Sequence, residues 1–86
     1  MANVVMYCTA TCPYCIRAQR LLEDKGVAFE QIRVDLEPDR RAEMVQRAGG
    51  RTSVPQIFIE DMHVGGCDEI YALERAGKLD ALLQTA

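Results

Sequence analysis

The sequence predicts an α/β fold: a small four-stranded mixed sheet flanked by helices, in the order β-α-β-α-β-β-α plus a short C-terminal helix. Short apolar runs of strand length alternate with segments whose apolar residues recur at helical spacing. Proline and glycine punctuate the joints between them. The last two strand candidates are separated only by Glu60-Asp61, a turn too short for anything but an antiparallel hairpin. No repeat, low-complexity tract or linker interrupts the pattern, so the 86 residues are expected to form one domain.

The first strand is Asn3 to Tyr7, a continuous apolar run of the kind that is buried on both faces. Pro13 then stands at the first position of a helix, where its missing N–H and preset φ are an advantage. Ala18, Leu21, Leu22 and Lys25 follow at helical spacing, and Gly26 supplies the stop. Phe29 and Ile32 to Val34 make a second strand, and a crossover of this length makes it a parallel neighbour of the first. Asp35 to Asp39, with Pro38, reads as a break. Arg41, Met44, Val45 and Ala48 fall at i, i+3, i+4 and i+7 of a second helix that ends at Gly49-Gly50. Gln56 to Ile59 is the third strand, and a brief fourth lies around His63-Val64 and ends at Gly65-Gly66. Asp68 can N-cap a third helix carrying Ile70, Leu73 and Ala76, closed by Gly77, and a last short helix holds Leu79, Leu82 and Leu83.

Composition narrows the function classes. The chain is 49% hydrophobic and 27% charged, which is globular usage. A formal net charge of -3 argues against a nucleic-acid or anionic-membrane partner, and no apolar run is long enough to span a bilayer. The start, MANVVMYC, lacks the basic and apolar regions of a signal peptide, so the expected compartment is a reducing cytosol. In that setting a close cysteine pair points to catalysis or metal binding rather than to a structural disulfide.

Three of the four cysteines lie within YCTATCPYC, Tyr7 to Cys15. Cys12 precedes the first helix and Cys15 falls in its first turn, so their side chains are neighbours at a separation a disulfide can bridge. Free N–H groups at a helix start stabilise a thiolate, which favours Cys12 as nucleophile and Cys15 as resolving thiol. Cys8 ends the first strand, before that geometry exists, and reads as a small apolar residue. Arg51-Thr52-Ser53-Val54-Pro55 precedes the third strand, where a proline cannot donate to the sheet. A cis Val54–Pro55 bond would turn the backbone toward an extended ligand, whereas a trans proline opening a strand is the commoner arrangement. Gly65-Gly66-Cys67-Asp68-Glu69 offers either close backbone approach and an anion site or a plain turn with an Asp cap.

Taken together, Cys12-Pro13-Tyr14-Cys15, Ser53-Val54-Pro55 and Gly65-Gly66-Cys67-Asp68 resemble, in order and spacing, the dithiol glutaredoxins of the short bacterial type. The resemblance runs over essentially the whole chain. It implies a thioredoxin-like fold and a monomeric glutathione-disulfide oxidoreductase working through Cys12 and Cys15. Glutathione would be its reducing co-substrate, with no metal. By the same resemblance Val54, following which comes Pro55, binds the cysteinyl backbone of glutathione, and Tyr14 packs beside the tripeptide. The Gly66-Cys67-Asp68 loop holds the γ-glutamyl end, and Arg51 and Gln56 reach the glycine carboxylate. The protein partners implied are disulfide-bonded or glutathionylated proteins, ribonucleotide reductase among them. One position departs from the family: the Lys or Arg usual three residues before the nucleophile is here Thr9. Its absence is expected to weaken both thiolate stabilisation and recruitment of the anionic tripeptide.

Within the redox class the alternative is a glutaredoxin-like donor reduced by thioredoxin reductase. In a different class stands a metal-binding module, with zinc held by Cys8, Cys12 and Cys15 plus Cys67 or His63. A glutathione-ligated 2Fe–2S cluster through Cys12 is a further variant that the rigid Pro13 disfavours. The spacing C-x3-C-x2-C also matches radical S-adenosylmethionine enzymes, whose barrel needs far more than 86 residues. His63 reads as an exposed strand or turn residue, Met44 and Met62 as packing, and Arg40, Arg41 and Arg47 as a solvated face.

Overall fold

The structure, a computed structural model, describes residues 2–84. Its elements are β1 (Val4–Cys8), α1 (Pro13–Asp24), β2 (Glu30–Arg33), α2 (Pro38–Arg47), β3 (Gln56–Ile59), β4 (Met62–Gly65), α3 (Cys67–Arg75) and α4 (Leu79–Leu83). The sheet runs β2-β1-β3-β4. β1 pairs parallel with β2, Tyr7 opposite Ile32, and antiparallel with β3, Tyr7 opposite Gln56. β3 and β4 form the expected hairpin, with a register irregularity between Ile57 and Phe58.

Side chains alternate across a strand, so the two central strands feed two cores. Val4, Met6 and Cys8 of β1, with Ile57 and Ile59 of β3, pack against Cys15, Ala18 and Leu22 of α1, Ile70 of α3, and Leu79 and Leu83 of α4. Val5, Tyr7 and Phe58 point the other way, onto Met44 of α2 and onto Ala48 just after it. All five β1 residues are buried, which is why this strand reads as an unbroken apolar run rather than as an alternation.

The structure differs from the sequence reading at several points, among them the limits of β2, which leave out Phe29 and Val34. Pro38 and Asp39 belong to α2, because Pro38 occupies its first turn and Glu37 its N-cap; a proline that ends one segment can open the next. Gly66, not Asp68, is the N-cap of α3, and Glu69 closes that end by accepting from the Gly66 N–H at 2.7 Å. Of the positions assigned to the apolar side of α2, Arg41 is exposed and donates to the Thr52 carbonyl at 3.3 Å.

The other arginines of α2 do more than face solvent. Arg47 donates to the Tyr7 hydroxyl at 2.7 Å and lays its guanidinium 4.2 Å from the centre of the Phe58 ring. The Tyr7 hydroxyl in turn donates to Glu43, which Arg40 also meets. His63 is half-buried, stacked on Phe58 with ring centres 4.9 Å apart, rather than an exposed turn residue. Met44 is fully buried, while Met62 is exposed at the β4 edge.

Candidate functional site: a thiol at a helix start beside a groove

The site forms where β1 hands over to α1. Val34 N–H donates to the Cys8 carbonyl at 3.0 Å, and just beyond it Asp35 takes both ends of the Arg33 guanidinium at 2.7 and 2.6 Å. The same carboxylate accepts from the Ala10 N–H at 3.3 Å, so the loop leading to Cys12 is tied to the end of β2. The Arg33 hydrogen bond, chiefly, holds the Asp35 carboxyl well below the usual carboxylate range.

Cys12 is the N-cap of α1. Its sulfur accepts from the Cys15 N–H at 3.1 Å, doing what a serine or aspartate oxygen does at most helix starts. On its other side the thiol meets the Val54 carbonyl at 3.7 Å. Cys12 is half-buried, whereas Cys8, Cys15 and Cys67 are buried; all four are free thiols. Burial, first, and the hydrogen bond it shares with Cys12, second, push the Cys15 thiol up to about 12. Burial likewise raises Cys8 and Cys67. A thiol raised in this way is protonated and unreactive near neutral pH, so Cys12 is the sulfur with both access and a donor aimed at it.

Beside Cys12 lies a groove of about 180 Å³. One wall is the Arg51 to Pro55 segment, with Arg51, Ser53, Val54 and Pro55 lining it; the Val54–Pro55 bond is cis. The opposite wall is the N-terminus of α3, from Gly66 to Glu69, and Tyr14 of α1 stands at one side, more than half exposed. Seven of the eight residues expected to contact glutathione therefore line one groove: Tyr14, Arg51, Val54, Pro55, Gly66, Cys67 and Asp68.

Gln56 is the correction. It is wholly buried behind the groove, its Nε2 donating to the Ser53 carbonyl at 3.0 Å and to Ser53 Oγ at 3.2 Å. Its Oε1 meets His63 Nε2 at 2.6 Å. A side chain buried and engaged at both ends buttresses the Ser53-Val54-Pro55 wall instead of reaching a ligand.

Two further lining residues, Ser53 and Glu69, stand in the motifs quoted from the sequence but carry no ligand contact in that reading. Glu69 had a signal: it stands three positions after the N-cap, the spacing of a capping box. Its Oε1 accepts both from Gly66 N–H and from Arg51, the latter at 3.0 Å.

Among the described residues no group of three or more His, Cys, Asp or Glu side chains is disposed to hold a metal ion. The zinc set of Cys8, Cys12 and Cys15 with Cys67 or His63 is therefore not assembled, and His63 is committed to Gln56 and Phe58. No helix among those residues is long and apolar enough to cross a membrane.

Comparison with known proteins gives a consistent picture. The Glutaredoxin family pattern matches residues 4–64. The chain is 61% identical over 83 residues to a glutaredoxin of Pseudomonas aeruginosa, covering 96% of this chain and 98% of that one. It is 54% identical over 84 residues to glutaredoxin 3 of Escherichia coli (strain K12), covering 98% and 100%. Among solved structures, the buckwheat glutaredoxin–glutathione complex superposes with a TM-score of 0.87 at 33% identity, covering 95% of this chain and 76% of that one.

Proposed function

The chain belongs to the glutaredoxin family, and from that premise we propose that Cys12 and Cys15 are its working dithiol and that the adjoining groove seats glutathione. The fold is thioredoxin-like and the activity is that of a glutathione-dependent thiol–disulfide oxidoreductase. The observation that carries the site assignment is the Cys12 sulfur. It caps α1, receives the Cys15 N–H at 3.1 Å, and opens beside the Val54 wall of the groove.

On a glutathionylated protein, the Cys12 thiolate attacks the glutathione sulfur. The S–S bond breaks, the protein thiolate leaves and takes a proton, and Cys12 carries glutathione. A second glutathione thiolate attacks that sulfur, giving glutathione disulfide and restoring Cys12. On a protein disulfide, Cys12 forms a mixed disulfide with one protein sulfur. Cys15 then gives up its proton, attacks Cys12 Sγ, and releases the substrate with the Cys12–Cys15 disulfide formed; two glutathiones reduce it again. Main-chain groups of Val54 pair with the cysteinyl residue of glutathione, Tyr14 flanks it, and Cys67 and Asp68 at the α3 start hold the γ-glutamyl end. Arg51, which lines the groove and pairs with Glu69 there, meets the glycine carboxylate. Protein partners are disulfide-bonded or glutathionylated proteins of the cytosol, with ribonucleotide reductase as a candidate, and the working unit is the monomer.

The test is a glutathione-coupled assay, recycled by glutathione reductase, on the wild type, C12S and C15S. Removing Cys12 abolishes turnover of both substrate types; removing Cys15 spares deglutathionylation and stops reduction of protein disulfides. Full deglutathionylation without Cys12, or recycling by thioredoxin reductase alone, overturns the reading.

A further inference from the structure

Glutathione carries two carboxylates and one ammonium, a net charge of about −1 near neutral pH. The groove beside Cys12 is lined by one cation, Arg51, and two carboxylates, Asp68 and Glu69. Asp68 has a partner in the ligand, because the γ-glutamyl end it holds in the reading above carries the ammonium. Glu69 has none in the ligand, and it is already engaged: Oε1 takes Arg51 at 3.0 Å and the Gly66 N–H at 2.7 Å. Those contacts hold the Glu69 carboxyl below its ordinary range, the Gly66 N–H foremost. Both side chains of the ion pair remain partly exposed, 47% for Arg51 and 41% for Glu69, so an incoming anion can displace it.

We infer that Glu69 is a resident anion that competes with glutathione for Arg51, and so sets the affinity of the groove for the tripeptide. The inference rests on the assignment of Arg51 to the glycine carboxylate. In the free protein the single groove cation is satisfied by a carboxylate of the chain itself. Binding then exchanges one carboxylate for another at Arg51, and the net gain is smaller than for an unpaired arginine. Glu69 also leaves a negative charge close to the ligand. With Thr9 in place of a cation before Cys12, no second cation lines the groove to offset it.

Glu69→Gln separates charge from shape, because the amide oxygen can still accept from Gly66 N–H while the ion pair with Arg51 is lost. The probe is the mixed disulfide of glutathione and 2-mercaptoethanol, with its KM measured in 20 mM and 500 mM salt. The KM in E69Q is expected to fall two- to fivefold at low salt, the range of exposed ion pairs, and the gain is expected to shrink at high salt. In an R51Q background the E69Q gain is expected to shrink to the part that comes from repulsion alone. A KM that is unchanged or higher in E69Q overturns the inference, as does an equal gain in both backgrounds. If R51Q alone leaves KM untouched, the Arg51 assignment itself has failed, and the two failures are thereby told apart. A melting temperature within a few degrees of wild type keeps the comparison about charge; should E69Q unfold, Glu69→Ser takes its place, with the same fall in KM expected and an unchanged or higher KM overturning the inference.

Discussion

The main-chain N–H of Cys15 reaches the sulfur of Cys12 at 3.1 Å, so Cys15 supports the proposed nucleophile through its backbone as well as standing beside it as a thiol. The two roles can be separated by substitution. Cys15→Ser keeps the amide; Cys15→Pro removes it at a first-turn position where proline is tolerated. The proline variant is expected to alkylate at Cys12 roughly tenfold more slowly than the serine variant at pH 7, the worth of one hydrogen bond to a charged group. Equal rates measured with iodoacetamide would show that the amide does nothing for the thiolate.

A second expectation concerns selectivity among the four thiols. Cys8, Cys15 and Cys67 are all raised by burial, Cys15 to about 12, so between pH 7 and 8 they are protonated as well as shielded. Brief alkylation of the reduced protein should modify Cys12 alone, and peptide mapping should find the other three only after denaturation. Rapid labelling of Cys8 in the native state would contradict the packing described.

Thr9→Lys places a cation three residues before Cys12. Alkylation of Cys12 at pH 7 is expected to quicken about two- to fivefold, with the effect fading in high salt. A rate that ignores the substitution would mean that position 9 lies outside the field of the thiolate.

Acid should loosen the fold through identifiable groups. Asp35, Glu43 and Glu69 are held below their ordinary range chiefly by Arg33, by the Tyr7 hydroxyl and by the Gly66 N–H respectively. A carboxyl depressed in the folded state adds stability above its unfolded pKa and loses it as pH falls through the folded one. The melting temperature is expected to hold from pH 7 to about 5 and to decline below about 4. In D35N that decline should be shallower; an identical profile would remove Asp35 from the account.

Gly65 sits at φ +117, and a Cβ there would lie 2.5 Å from Glu69 Oε1. Gly65→Ala is expected to cost about 1–2 kcal/mol in chemical denaturation, from left-handed backbone strain and displacement of that carboxylate. Gly26→Ala, in open space at φ +71, carries the backbone cost without the collision and should be milder.

What the sequence made legible was whatever depends on local pattern. The unbroken apolar run of β1, the proline opening α1 and the short turn between β3 and β4 each leave a mark within a few residues, and the parallel β1–β2 pairing and the β3–β4 hairpin follow from connection length. What it hid depends on partners far along the chain. Arg47 looks like one more surface cation until Tyr7 and Phe58, 40 and 11 positions away, arrive beneath it. Gln56 looks like a ligand contact beside Pro55, yet strand pairing buries it and gives its amide to Ser53 and His63. Pro38 looks like a break after β2, yet it opens α2.

The burial of three sulfurs around one accessible sulfur also decides where oxidative injury lands. A peroxide meeting this surface finds Cys12 first, and the sulfenic acid formed there has Cys15 in the adjoining turn. Condensation of the two expels water and leaves the same disulfide that the proposed cycle opens, before further oxygen can make the lesion permanent. The arrangement that makes Cys12 vulnerable is thus the one that returns it to service.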